Sequence, residues 1–174
     1  MKLHLGCGSH RLDGWVNLDI DSPLADVRAD LRQPLPFQDG QVALIFCEHF
    51  HEHITRDEAL GFLGECRRVL EPGGRLRLST PDLRWVVAHY VAGHLDEWAD
   101  VDWTPRTPCQ LMNEGMRSWG HQFLYDRDEL TTLLHQAGFA AVETQPHRQS
   151  AHPDLAGLEC RPWHREIILE AERP

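Results

Sequence analysis

The sequence predicts an α/β protein built on a mostly parallel sheet, and three observations carry that prediction. Short segments of strand character alternate with stretches of helical periodicity, the pattern of strands joined through crossovers. Gln41 to Cys47 is a near-continuous apolar run, as expected of a strand buried on both faces. Glycines and acids fall where strands end, the edge at which such sheets bind ligands.

Taken in order, Lys2 to Leu5 reads as a strand ended by Gly6 and Gly8. Trp15 to Ile20 is a second strand ending in acids, and Ala25 to Asp30 a weak third. The turn-rich Leu35-Pro36-Phe37-Gln38-Asp39-Gly40 leads into the fourth, Gln41 to Cys47. A helix follows, with Thr55 and Glu58 spaced as a capping box. Ala59, Leu60, Leu63, Cys66, Val69 and Leu70 keep one apolar face, and Pro72-Gly73-Gly74 stops the helix. Gly61 and Gly64 inside it suggest close packing against a neighbour. Arg75 to Thr80 alternates as a fifth strand, ended by Pro81-Asp82. Regularity weakens over 82–120, where Leu83 to Leu95 reads as helical and Asp100 to Pro108 as loop. Asp126 then caps a helix with Glu129 in its first turn and Gly138 as its left-handed stop. Phe139 to Thr144 and Arg165 to Ala171 complete seven strands.

The 174 residues suit a single domain over 1–174, with an insertion or lid at about 82–124. A chain of this length can hide roughly two-thirds of its unfolded surface without disulfides or metal. The formal charge of −10 argues against nucleic acid as a partner, because phosphate neutralisation needs a basic surface. Arg67, Arg68, Arg75 and Arg77 come nearest to a basic patch and read as solvated arginines. The five cysteines include no C-x-x-C pair, so reduced thiols are expected. No stretch is apolar enough for a signal peptide or a membrane span, and a cytoplasmic location is expected, with no membrane partner. A homodimer is compatible with the sequence.

Three features fall at strand ends. Gly6-Cys7-Gly8 lets backbone N–H groups approach a ligand closely. Asp19 is placed to accept hydrogen bonds from ribose hydroxyls, and Asp30, followed by Leu31, ends the third strand. The third glycine of a dinucleotide fingerprint is absent, Arg11 standing in its place, which disfavours a nicotinamide-dependent oxidoreductase.

This order of motifs resembles the class I S-adenosylmethionine-dependent methyltransferases, particularly small bacterial chains that start at the glycine loop. The pieces that match are Leu3-His4-Leu5-Gly6-Cys7-Gly8, Gly14-Trp15-Val16-Asn17-Leu18-Asp19, Ala29-Asp30-Leu31 and Leu35-Pro36-Phe37-Gln38-Asp39-Gly40. Downstream come His49-Phe50-His51-Glu52-His53-Ile54 and Arg68-Val69-Leu70-Glu71-Pro72-Gly73-Gly74. The resemblance implies a Rossmann-like three-layer sandwich with a mostly parallel seven-stranded sheet, S-adenosyl-L-methionine as cofactor, and methyl transfer as the activity. It also implies a cofactor site of Leu5, Gly6, Cys7, Gly8, Asp19, Ile20, Asp30, Leu31 and His49, with His49 shared with the substrate.

Two features depart from the family. His4 stands where an acid is usual, two residues before the first glycine. Gly6 to Gly14 is too short for a full crossover helix, so the first helix is expected to be short or missing. These departures keep a second reading open, a cofactor-binding or scaffold protein without catalysis.

Glu48-His49-Phe50-His51-Glu52-His53 offers alternate histidines to a metal, but His-Glu-x-x-His spacing is absent and no metal site is assigned. The segment after Pro81 is rich in aromatic and histidine side chains, among them Trp85, Trp98, Trp103 and Trp119, as a substrate lid would be. His121, His49 and Tyr125 are the candidate catalytic residues, a histidine of near-neutral pKa being able to take a proton from an oxygen nucleophile. The expected acceptor is a small or saccharide-like molecule.

Overall fold

A computed structural model describes residues 1–95, 103–161 and 165–174. Its strands are β1 (Lys2–Leu5), β2 (Val16–Asp19), β3 (Val27–Arg28), β4 (Val42–Glu48), β5 (Leu70–Pro81), β6 (Ala140–Thr144) and β7 (Glu166–Glu172). They form one sheet in the order β3-β2-β1-β4-β5-β7-β6. The first five pair in parallel, while β7 runs antiparallel to both β5 and β6. This is a Rossmann-like, mostly parallel sheet, as expected. No helix joins β1 to β2 among the described residues, so the short connection behaves as its length dictates.

The alternation of side chains along strands gives the sheet two unlike faces. Leu3, Leu5, Leu18, Ile45, Leu76 and Leu169 cluster on the first face with α1 (Arg56–Val69) and α4 (Arg127–Gln136). Phe62 and Leu63 of α1 and Leu130, Leu133 and Leu134 of α4 are all buried there, each contributing about 1.5–3 kcal/mol of transfer free energy. The capping box of α1 is formed, Thr55 and Glu58 exchanging side-chain and backbone hydrogen bonds. The Asp126 side chain accepts from Glu129 N–H at the start of α4, and Gly138 follows with a φ of 87°.

Gly61 and Gly64 correct the expectation of close packing in α1. Both are exposed, and a Cβ at either would meet nothing within 4 Å. With no neighbour to clash, Gly61→Ala and Gly64→Ala are each expected to raise unfolding free energy by about 0.5–1 kcal/mol. Denaturant unfolding checks this, and a loss of stability in either variant would show a packing role that the structure lacks.

The second face holds polar side chains. His4, Asn17, Arg77 and Glu170 are buried on it beside Phe46. His4 Nδ1 bonds Asn17 Oδ1 at 3.0 Å and the ring stacks on Phe46. Among the described residues no α-helix packs in the apolar cluster of this face; Leu155 and Leu158, from the loop and short 3₁₀ turn after β6, pack on Trp15, Leu44 and Phe46. Arg77 therefore reverses its expected place. It is fully buried, with Nε 2.6 Å from Glu159 and Nη1 2.6 Å from Glu170. The other three arginines are also engaged, Arg68 with Glu65 and Asp39, Arg75 with Glu172, and Arg67 with the Gly138 carbonyl.

Residues 82–120 hold more helix than the sequence suggests. α2 (Leu83–Ala92) is capped by Asp82, and α3 (Pro108–Arg117) by Thr107 with Pro108 in its first turn. Val86 of α2 packs against Leu111 of α3, with Trp85, Trp103 and Met112 around them. Trp98 lies outside the described residues. Among the described residues no helix is long and apolar enough to cross a membrane.

Candidate active site

Parallel register sets the ends of the first four strands side by side. Leu5 pairs with Leu18 and Cys47, and Leu18 with Val27, so the residues after each strand share one edge. Gly6 and Gly8 turn the chain there with φ of 69° and 50°, a region that favours glycine. Gly8 N–H donates to Asp19 Oδ2 at 2.9 Å, while Asp19 Oδ1 accepts from the N–H groups of Asp21 and Ser22, both at 2.9 Å. The Ser22 hydroxyl donates to the Gly8 carbonyl. Burial pushes the Asp19 carboxyl up, but these N–H donors outweigh it and hold the group below its usual value. Asp19 is thus an anion fixed beside the glycine loop.

Most of the other expected cofactor residues adjoin this loop. Cys7 is buried, and burial pushes its thiol up, so it contributes backbone rather than a reactive sulfur. Leu5 and Leu31 belong to the core, whereas Ile20 is 45% exposed beside Asp19. Asp30 is turned toward Arg32, which binds both of its carboxylate oxygens at 2.9 and 2.8 Å.

His49 follows β4 with a φ of 52°, a left-handed conformation unusual for histidine. Phe50, the next residue, packs 3.6 Å from where a Gly6 Cβ would lie, so the turn after β4 abuts the glycine loop. The His49 ring is held between two carboxylates, with Nδ1 3.1 Å from Glu52 Oε1 and Nε2 3.2 Å from Glu166 Oε2. Burial alone would lower this imidazole, but the hydrogen bonds to Glu166 and Glu52 raise its pKa to about 9. Burial likewise opposes the charge on Glu52, and His49 overcomes it, leaving a pKa of about 2. At neutral pH His49 is a cation with both nitrogens occupied, and it has no lone pair to offer as a base.

The alternate histidines diverge rather than sharing a face. His51 lies in the core against Phe62 and Tyr125, where burial lowers its pKa to about 4. His53 faces a cavity of about 380 Å³ that opens beside His49. Trp85, Trp103 and Trp119 wall this cavity, Glu52 and Glu166 sit at its His49 side, and Arg161 and Arg165 border it. Trp119 is 55% exposed and adopts a φ of 58°. His121 also lines it, because Gln122 and Phe123 N–H both donate to the Glu52 carbonyl and the Gln122 side chain donates to the His53 carbonyl. Its Nδ1 lies 3.0 Å from the Gly115 carbonyl, which can only accept, so Nδ1 carries a proton and the neutral ring has its lone pair on Nε2. Tyr125, expected beside it, is instead fully buried among Phe123 and His51, and burial pushes its phenol up to about 12. It supports the core beneath the site and does not reach the cavity. Glu166 and the two arginines escaped sequence reasoning, since Glu166 meets His49 across 117 residues with no local motif to announce it.

A family model described as a methyltransferase domain matches residues 3–78. No curated protein matches the chain. Among solved structures, a SAM-dependent methyltransferase from Thermotoga maritima superposes with a TM-score of 0.64 at 12% identity, over 99% of this chain and 82% of that one. A SAM-dependent methyltransferase from Archaeoglobus fulgidus gives 0.62 at 13% identity, covering 98% and 85%. An S-adenosylmethionine-dependent methyltransferase from Mesorhizobium loti gives 0.60 at 18%, covering 99% and 90%.

Proposed function

We propose that this chain is a class I S-adenosylmethionine-dependent methyltransferase that transfers a methyl group to a small-molecule or saccharide-like acceptor held in the cavity beside His49. The observation that carries this reading is the junction of two sites. The glycine loop, with its fixed Asp19 anion, meets the tryptophan-walled cavity through the His49–Phe50 turn.

The loop fits the cofactor. A Cβ on Gly8 would meet nothing within 4 Å, so space lies open against its backbone, and Asp19 Oδ2 has acceptor capacity left for a ribose hydroxyl. S-adenosylmethionine, when bound, supplies an electrophilic methyl group on a sulfonium sulfur. Indole faces suit a flat or pyranose ring, and α2, α3 and the turn that carries Trp119 form the wall that would exclude water from it. His121 Nε2 is the lone pair in the cavity that takes a proton from the acceptor, a role the His49 cation does not fill.

Labelled-methyl transfer from S-adenosylmethionine to a panel of small hydroxylated and saccharide acceptors tests the reading. His121→Ala is expected to lower kcat about 100-fold or more, with affinity for S-adenosylhomocysteine unchanged. A His121→Ala enzyme of undiminished turnover would remove the assigned role.

A further inference from the structure

We propose that Glu52, His53 and His121 form a binding site for one divalent transition-metal cation, of which zinc is the type, with its open position facing the cavity. The inference rests on the reading of that cavity as the acceptor site. It would replace the proton-accepting part of His121, whose lone pair would instead hold a cation that orients the acceptor's oxygen and lowers its pKa.

The three residues are neighbours only in the fold. One ligand atom from each lies within 4.8 Å of the others, and His53 Nε2 stands 4.0 Å from Glu52 Oε1. Bonds of about 2.0–2.2 Å to a tetrahedral ion would separate ligand atoms by roughly 3.4 Å, so the site closes by a movement of about 1 Å. His53 is able to make it, its side chain being 35% exposed. The His53 and His121 rings already meet edge to face at 5.0 Å.

The surroundings are those of a supported site. Metal-bound histidines usually donate their second N–H to a carbonyl or carboxylate, and His121 does so to Gly115. The carboxylate is likewise oriented, with the Thr80 hydroxyl on Glu52 Oε2 at 3.0 Å and His49 Nδ1 3.1 Å from Oε1. Glu52 is wholly buried, so its charge must be met by partners within the site. Two imidazoles and one carboxylate suit a borderline cation, and three protein ligands leave a position for water or substrate. That position suits an acceptor bearing a hydroxyl, whose oxygen would be polarised by the ion.

Full-length protein stripped by chelator is titrated with zinc in competition with a chromophoric chelator, and with cobalt(II) followed by its visible spectrum. The expected result is one tightly held equivalent with the intense absorption of a four-coordinate site. Glu52→Gln, His53→Ala and His121→Ala should each weaken binding by at least about tenfold. His94→Ala, at an exposed histidine outside the cavity, should not change it. Absence of a bound equivalent, an octahedral cobalt spectrum, or affinity that survives loss of His53 and His121 would overturn the site. S-adenosylhomocysteine calorimetry on the same samples separates the two claims. Cofactor binding without metal sinks this inference alone, and metal binding without cofactor supports the site while removing the proposed function.

Discussion

Replacement of Arg77 by alanine is expected to destabilise the protein by about 3–5 kcal/mol, the usual cost of leaving buried charges without a partner. Its guanidinium is fully buried between Glu159 and Glu170 and also donates to the Gln149 carbonyl at 2.9 Å. Glu159 in turn accepts from Arg148 N–H at 3.0 Å, so one cation holds β5, β7 and the covering loop together. Such a loss is a large share of the stability of an ordinary domain, roughly 5–15 kcal/mol. Replacing all three charges by apolar residues of similar volume, Arg77→Met, Glu159→Met and Glu170→Met, should recover much of it, since the attraction only offsets the cost of desolvation. Guanidinium unfolding of the wild type and the two variants measures this. An Arg77→Ala variant within about 1 kcal/mol of the wild type would show that the network is hydrated and weak.

Asp19→Ala is expected to weaken S-adenosylhomocysteine binding by about 100-fold. A hydrogen bond to a charged group contributes about 1.5–3 kcal/mol, and here the same carboxylate also fixes the Gly8, Asp21 and Ser22 amides that shape the loop. Asp19→Asn keeps an acceptor but loses the charge, and should fall between the two. Because Asp19 is partly exposed and outside the core clusters, the variants should unfold near the wild-type midpoint. Affinity that is unchanged in Asp19→Ala would place the cofactor elsewhere.

Strands and helix starts were legible because their signals are local. Thr55 with Glu58, and Asp126 with Glu129, announce caps within four residues, and both caps are formed. α3 was less legible, since Leu111 is its only fully buried side chain and its packing partner is α2. Thr107-Pro108, a cap residue before a first-turn proline, was the local sign of it. Arg77 shows a different limit. Alternation puts Arg75 and Arg77 on the face opposite Leu76 and Leu78, and that face reads as solvent. The loop that covers it has no periodicity, and the two carboxylates lie 82 and 93 residues further along the chain.

The candidate site divides in the same way. Gly6, Gly8 and Asp19 are adjacent because neighbouring parallel strands end together, which strand order alone predicts. Asp30 was assigned without its neighbour Arg32, which now holds its carboxylate. The expected pair of His121 and Tyr125 separates because one faces the cavity while the other, four residues on, points into the core. His49 was legible as a site residue, but its charge was not, for that depends on Glu166 at the far end of the chain.

Calorimetry of the full-length protein with S-adenosylmethionine, S-adenosylhomocysteine and nicotinamide dinucleotides tests the central claim most directly. The structure predicts one-to-one binding of the first two, lost or strongly weakened in Asp19→Ala, and none of the dinucleotides. Absence of binding by both S-adenosyl compounds, in protein shown to be folded, would contradict it.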